Sequence, residues 1–197
     1  MPRPFLVAEE TGPAFRRTLF RLFGITWAAT RYAWLGPLFW CAMGILIALA
    51  EQRPPGDSFT VGVGYGLLLY ASNVLHTVGH IVFGRLAKAP MAVNVLTSTR
   101  DVNVYVQPGA SAPPGRRMLR ALGGPLANVL GGLAAFAPSW IFATRWLSMF
   151  GYFNLAIGFW TLAPIPSLDG WVIWRTVFRG DRAHTEYHRV APDGRRH

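Results

Sequence analysis

The sequence predicts an all-α polytopic membrane protein, with about four transmembrane helices, a small β element in one loop and an interfacial helix near the N-terminus. Three observations predict this class. Of the 197 residues, 52% are hydrophobic and only 14% are charged, which is more apolar than an ordinary soluble domain. Several long stretches contain no Asp, Glu, Lys or Arg. The basic residues flank these stretches instead of gathering on one soluble face, so the formal net charge of +10 does not indicate a nucleic-acid-binding protein.

The N-terminal region, residues 1–31, is a basic arm. Its segment FRRTLFRLF, residues 15–23, has basic and apolar residues at helical spacing. This pattern predicts an amphipathic helix on the inner membrane surface, in contact with membrane lipids. A removable signal peptide is not expected, because the apolar run begins late and no small-residue cleavage site follows it.

Four apolar stretches are long enough to cross a hydrocarbon core of about 30 Å at about 1.5 Å per helical residue. They belong to a transmembrane domain of residues 32–177. The predicted spans are at about residues 32–50, 59–83, 122–144 and 150–174. Pro164 and Pro166 interrupt the last span near its end.

The distribution of basic residues predicts the direction of the spans. The short loops at residues 51–57 and 145–149 are expected outside. All of the 19 lysines and arginines except Arg53 and Arg145 then lie in the N-terminal arm, the long loop, the C-terminal tail or at an inner edge. The positive-inside rule therefore predicts that both termini are inside, which suits a bacterial inner (cytoplasmic) membrane.

The long inner loop, residues 84–121, contains VNVYV at residues 102–106, whose alternation predicts a short strand or hairpin at the membrane face. The tail, residues 178–197, is polar, basic and without a hydrophobic period, so it is expected to be disordered or held by a partner. The single cysteine, Cys41, excludes a disulfide framework within one chain.

Four polar side chains are predicted at a similar depth in the inner half of the bilayer. His76 and His80 are four residues apart on the second span, so a helix places both imidazoles on one face, a spacing that suits two ligands of one metal ion. Asp169 on the fourth span and Asn128 on the third reach a comparable depth, counted at about 1.5 Å per residue. Such groups are costly in lipid unless they coordinate an ion or hydrogen-bond to one another.

Other interpretations of these residues stay open from spacing alone. An intramembrane histidine often only joins two helices by a hydrogen bond, and Asp169 could brace the backbone freed by Pro164 and Pro166. A haem or chlorophyll is less suited, because two histidines four residues apart on one helix are poorly placed for one haem. Six glycines are expected at close helix contacts: Gly62, Gly66, Gly123, Gly124, Gly131 and Gly132.

Three motifs in this order resemble those of the site-2 protease family of intramembrane zinc metalloproteases. They are HTVGH at residues 76–80, GGPLAN at residues 123–128 and LAPIPSLDGW at residues 162–171. The resemblance covers residues 59–177. It implies that His76, His80 and Asp169 are zinc ligands, with Asn128 as an auxiliary amide and a fourth zinc position left for water.

Thr77 departs from the family's pattern. In active members a glutamate follows the first histidine and takes the proton of the attacking water. A threonine hydroxyl has no comparable base form near neutral pH, and general-base help is worth roughly 100-fold to 10,000-fold. Of the nine acidic residues, only Asp169 is expected at the depth of the site. A second departure is Thr161, where the family usually has an asparagine, and this weakens the expected substrate clamp.

The sequence therefore predicts a degenerate site-2 protease homologue. We expect zinc to be retained and proteolysis to be lost or very slow, with the protein acting as a structural or binding subunit. The alternative is an active zinc metalloprotease, in which Thr77 positions water and a partner or the substrate supplies the base. Eight tryptophans and basic ends are compatible with an accessory subunit of a larger respiratory or photosynthetic complex.

Overall fold

The computed structural model describes residues 16–98, 101–106, 112–142 and 144–179. The predicted C-terminal tail beyond residue 179 and the first 15 residues of the N-terminal arm lie outside the described residues. The elements in chain order are β1 (Arg16–Leu22), β2 (Ile25–Thr30), α1 (Leu35–Ala50), α2 (Pro55–Leu86), β3 (Met91–Leu96), β4 (Asp101–Tyr105), α3 (Pro114–Phe142), α4 (Arg145–Thr161) and α5 (Asp169–Arg179).

The chain is mostly helical but not all-α, because it contains a four-stranded sheet in the order β1-β2-β3-β4. The strand predicted in the long loop is confirmed as β4, with β3 beside it. The first two strands come from the N-terminal arm and precede α1. Strand β2 pairs with β3 in parallel, from Thr26 opposite Val93 to Ala29 opposite Leu96.

The predicted interfacial helix is wrong, because Arg16–Leu22 is a strand. It pairs antiparallel with β2 through the two-residue turn Phe23–Gly24, and Leu22 lies opposite Ile25. Strand β2 contains Ile25, Thr26 and Trp27, types that favour strands. If residues 16–22 formed a helix, they would lose their hydrogen bonds to β2. Pairing of the two strands therefore outweighs the helical spacing of the basic and apolar residues in this segment.

Two helices are long and apolar enough to cross a membrane, α2 and the stretch Pro114–Pro138 of α3, and α1 is a shorter apolar helix of 16 residues. The predicted second and third spans lie largely within α2 and α3. Four transmembrane helices are not confirmed. The predicted fourth span is not one helix, because α4 ends at Thr161 and α5 starts at Asp169. Residues 145–149, predicted as a loop, are the first residues of α4.

The break between α4 and α5 has a local cause. Pro164 and Pro166 lack backbone donors, so neither can continue the hydrogen-bond ladder of a helix. Ser167 has φ 81°, a left-handed conformation that a non-glycine residue rarely adopts. The non-helical segment at residues 162–168 therefore ends one helix and sets the start of the next at Asp169.

The residues fall into two compact units, one containing β1, β2, α1, the first half of α2 and most of β3 and β4, and the other containing the remainder of the described chain. In the first unit the predicted glycine contacts are confirmed. A Cβ atom on Gly62 or Gly66 of α2 would overlap the α1 backbone at Ile45 or Cys41. In the second unit a Cβ atom on Gly79 would overlap the carbonyl oxygen of Gly123, so α2 and α3 also approach closely.

Candidate metal centre

Helix α2 presents His76 and His80 on one face, one turn apart. Their Nε2 atoms are 3.1 Å from each other, and the rings meet edge to face. The side chain of His80 is almost fully buried, at 2% exposure, and that of His76 is 15% exposed. The spacing that suggested two ligands of one ion is thus realised with both Nε2 atoms pointing to the same place.

Asp169 completes the cluster from the first residue of α5. Its Oδ2 atom is 3.0 Å from His76 Nε2 and 3.3 Å from His80 Nε2. The start of α5 is held against the end of α4, because the indole Nε1 of Trp174 donates to the carbonyl oxygen of Leu162 at 2.9 Å. Gly170 allows this approach, since a Cβ atom there would overlap the same carbonyl. The break after α4 therefore places the Asp169 carboxylate beside the two imidazoles.

A chain of side-chain hydrogen bonds fixes the orientation of His76. The Asn154 Nδ2 atom donates to the carbonyl oxygen of Phe150, which leaves Asn154 Oδ1 to accept from Asn128 Nδ2 at 2.7 Å. Asn128 Nδ2 also donates to the carbonyl oxygen of Ser72. Both hydrogens of Asn128 are then used, so its Oδ1 atom accepts from His76 Nδ1 at 2.6 Å.

His80 has an equivalent partner in the backbone of α3. Its Nδ1 atom donates to the carbonyl oxygen of Arg120 at 2.8 Å. Both histidines therefore carry their proton on Nδ1 when neutral, and both Nε2 atoms present a lone pair. Partners of this kind, which hold the second ring nitrogen of a histidine, accompany most protein metal ligands.

The residues present fit a zinc ion. Four ligands at about 2.0–2.1 Å from a tetrahedral zinc lie about 3.3 Å from one another, and the three ligand atoms here are 3.0–3.3 Å apart. Two nitrogen lone pairs and a carboxylate oxygen at these distances need a cation or a shared proton between them. The three ligand atoms belong to the one candidate metal-holding group found among the described residues.

Gly124 keeps the space beside the cluster free. A Cβ atom at this position would overlap Nε2 of His76 and Nε2 of His80. The expectation that Gly124 serves only a helix contact is therefore incomplete, whereas Gly123 does lie at the contact with Gly79. The absence of a side chain at residue 124 leaves both ligand nitrogens accessible.

Thr77, at the position of the missing glutamate, is buried at 2% exposure beside His76 in the chain. The second departure, Thr161, donates its hydroxyl hydrogen within α4, where the carbonyl oxygens of Ile157 and Gly158 lie 2.9 and 3.1 Å away. This hydroxyl thus caps the end of its own helix.

One basic and one aromatic side chain, Arg120 and Tyr105, lie near the cluster. The Arg120 guanidinium is 4.0 Å from the ring centre of Tyr105 at the end of β4. Burial raises the pKa of the Tyr105 phenol above its ordinary value. The phenol is therefore neutral at physiological pH and is not a base that could replace the missing glutamate.

The sequence alone pointed to His76, His80, Asp169 and Asn128, and the structure brings all four together. It did not point to Asn154, which is fully buried. A polar side chain in the apolar helix α4 was the only available signal, and its partner Asn128 is 26 residues away in the sequence.

Comparison with known proteins agrees with this architecture. The sequence matches no protein-family model and no curated protein. Its structure is similar to that of a site-2 protease from Methanocaldococcus jannaschii, with a TM-score of 0.60 and 19% sequence identity over 83% of this chain and 71% of that chain. The chain has the site-2 protease fold. The predicted resemblance is thereby supported at the level of the fold, and this fold together with the two long apolar helices indicates a membrane protein.

Proposed function

We propose that this protein is a catalytically impaired, site-2-protease-like membrane protein that retains a zinc centre and acts as a structural or binding subunit of a larger membrane complex. The observation that carries the proposal is Thr77. The ligand cluster beside it is intact in geometry, yet the residue that would serve as general base in the family is a buried threonine.

His76, His80 and Asp169 would hold the zinc, and a bound zinc ion would supply Lewis acidity at this point. Asn128 and the Arg120 carbonyl keep the two Nε2 lone pairs directed at the same place. These residues can bind and orient a metal, but none of them is free to accept a proton from water. Asp169 is the one described acidic residue in the cluster, and it is used as a ligand.

An active protease with an atypical base is the second candidate. It is favoured by the exposure of the cluster, because the side chains of His76 and Asp169 are 15% and 22% exposed and can be reached from outside the protein. In this case a substrate or partner supplies the base. The complete ligand set supports both candidates equally, so the test must act on residue 77.

The test is the replacement Thr77→Glu, with Thr77→Gln as a control of matched size that has no base. Purified protein is loaded with zinc and incubated with a transmembrane peptide. We expect no measurable zinc-dependent cleavage by the wild-type protein or by Thr77→Gln, and cleavage by Thr77→Glu at roughly 100-fold to 10,000-fold above that background. Zinc-dependent cleavage by the wild type that His76→Ala abolishes would show that the protein is an active protease.

Retention of the metal is tested separately, by metal analysis of the purified wild type and of His80→Ala. A stoichiometric zinc content that the variant loses is expected. Equal zinc content in both proteins would remove zinc from the proposal and leave the structural role.

The topology of the proposed subunit follows from its charges. We propose a bacterial inner membrane, with both termini on the cytoplasmic side, because Arg16, Arg17 and Arg21 precede α1, and Arg116 and Arg117 begin α3. Among possible hosts, a respiratory or photosynthetic complex suits a tryptophan-rich accessory subunit.

A further inference from the structure

The hairpin formed by β1 and β2 has an aromatic residue in its turn. Leu22 and Ile25 are paired, so Phe23 and Gly24 are the two turn residues, and their φ angles are 51° and 70°. A two-residue turn with both φ angles positive normally has Asn, Asp or Gly at its first position. A bulky Phe23 in this conformation is strained, and its side chain is also 52% exposed. Strain and exposure together at one residue indicate a function for it.

A bulge sorts the side chains of β1 into two faces. The pairing shifts between Thr18 and Phe20, so Leu19 is the additional residue. Beyond the bulge, Phe20 and Leu22 share a face with Trp27 and Ile25, and Phe20 stacks on Trp27 with ring centres 5.8 Å apart. Arg21 lies on the opposite face, opposite Thr26.

The exposed apolar residues are thus concentrated at the turn end of the hairpin. Leu19, Phe20, Leu22 and Phe23 are each about half exposed, at 47–52%. At about 3.3 Å per residue, Arg21 lies about 7 Å from the turn and the other β1 arginines lie farther back. An apolar tip that enters the boundary of headgroups and acyl chains by about 5–10 Å would place Arg21 at the level of the phosphates.

The charge of this region indicates what binds the apolar tip of the hairpin. From residue 16 to residue 50 the chain has four arginines and no acidic residue. Between the hairpin and α1, Tyr32 and Trp34 are 47% and 59% exposed, and aromatic residues of this type collect at membrane interfaces. The Arg31 guanidinium is 5.5 Å from the ring centre of Tyr32. The hairpin is therefore followed directly by an interfacial sequence.

We propose that the β1–β2 hairpin is a membrane-surface anchor, which inserts Phe20, Leu22 and Phe23 at the lipid interface and binds anionic phospholipid headgroups through Arg21. The bulge at Leu19 and the strained turn at Phe23 place the apolar residues at one end of the hairpin. In a helical anchor they would instead lie along one face. One arginine near an anionic surface, here Arg21, contributes about fivefold to the equilibrium between docked and undocked hairpin.

The experiment uses the full chain in nanodiscs with a single fluorescent label. Cys41 is the single cysteine, so Cys41→Ser provides the background for Phe23→Cys, and Gln52→Cys in the polar α1–α2 turn is the matched control site. The label is quenched either by nitroxide attached to lipids just below the headgroups or by iodide in water. Discs contain either phosphatidylcholine alone or phosphatidylcholine with phosphatidylglycerol.

The expected result is quenching at residue 23 by the lipid nitroxide and protection from iodide in anionic discs, with little of either in neutral discs. The variant Arg21→Gln should lower the equilibrium constant for docking in anionic discs by about fivefold, whereas Arg17→Gln, which lies farther from the tip, should change it less. Both arginines are exposed on β1, and the Gln52 label reports on the remainder of the unit.

Three outcomes would overturn the proposal. A label at residue 23 that iodide quenches equally in both discs would show that the tip stays in water. Equal lipid quenching in both discs, unchanged in Arg21→Gln, would show an anchor that does not select anionic lipid. Protection that appears only in native membranes, and not in discs, would assign the surface to a protein partner.

Discussion

The orientation of His76 depends on side chains that do not contact the metal position. Asn154 and the Ser72 carbonyl together direct the amide of Asn128, and Asn128 in turn fixes the proton of His76 on Nδ1. If the Asn128 amide were free to rotate, its nitrogen could face His76, and the imidazole would then turn a protonated Nε2 towards Asp169. Two acceptors for the Asn128 amide thus keep His76 in the form that binds a metal.

Replacement of Asn154 by Ala is expected to weaken zinc binding by up to about 10-fold, the lower end of the cost of losing a partner bonded to a metal ligand, because Asn128 keeps its bond to the Ser72 carbonyl. The measurement is competition with a chelator of known affinity, on purified protein. Thr161→Ala on the same helix is the control, because this hydroxyl bonds only to backbone within α4 among the contacts described. Equal zinc affinity in Asn154→Ala and Thr161→Ala would show that the amide chain does not position His76.

The residues of the cluster could be predicted because each is chemically exceptional in an apolar segment. His76, His80 and Asp169 have no inexpensive place in lipid. The depth of the histidines could be counted along α2, whereas the count for Asp169 assumed a continuous fourth span that is broken between α4 and α5. Asn154 could not be predicted in the same way. Its role is set by a contact across two helices, and sequence spacing within α4 contains no information on the helix beside it.

At the scale of secondary-structure elements, prediction from local sequence pattern was wrong where contacts with a distant segment determine the structure. The β1 sequence has helical spacing, yet it forms hydrogen bonds with β2, which itself lies beside β3. The prolines after α4 were recognised as an interruption, but the extent of the break depends on Ser167 and on the bond from Trp174 to Leu162. In contrast, α2 could be predicted from its long run without charged residues.

The approach of α2 to α3 brings the histidines to Asn128 and Arg120, and it depends on Gly79. A Cβ atom there would overlap the Gly123 carbonyl and contact Ala127. Gly79→Ala is expected to lower the free energy of unfolding by about 1–3 kcal/mol, the usual cost of overpacking, and to reduce the zinc content. Denaturant unfolding in detergent measures the first effect, and metal analysis the second.

Gly56→Ala is the control for this substitution, because it lies on the same helix and has open space around its Cβ position. It replaces glycine by alanine in the first turn of α2, where the gain in helix propensity is smaller than the roughly 1 kcal/mol of a helix interior. A Gly79→Ala protein as stable as Gly56→Ala would mean that α2 and α3 can separate without cost.

For the whole molecule, the proposed subunit role predicts a fixed partner. Extraction of native membranes with a mild detergent is expected to yield this chain in a large complex of constant stoichiometry, measured by native separation and mass spectrometry. The physical reason is that a zinc centre without a general base can stabilise the fold of this protein but cannot support proteolysis. Recovery of a free, zinc-containing protein as the main species would contradict the subunit role and favour the catalytic candidate.

The parallel pairing of β2 with β3 has a consequence for biogenesis. Parallel neighbours require a long connection, and here it consists of α1 and α2 with their turns, about 60 residues. At 5–20 residues per second, a ribosome needs about 3–12 s to make that connection. During this interval the open edge of β2 is exposed to other nascent chains, which is a recognised route to aggregation. The order of translation therefore leaves this edge without its β3 partner for several seconds, and protection during that interval favours correct assembly of the protein.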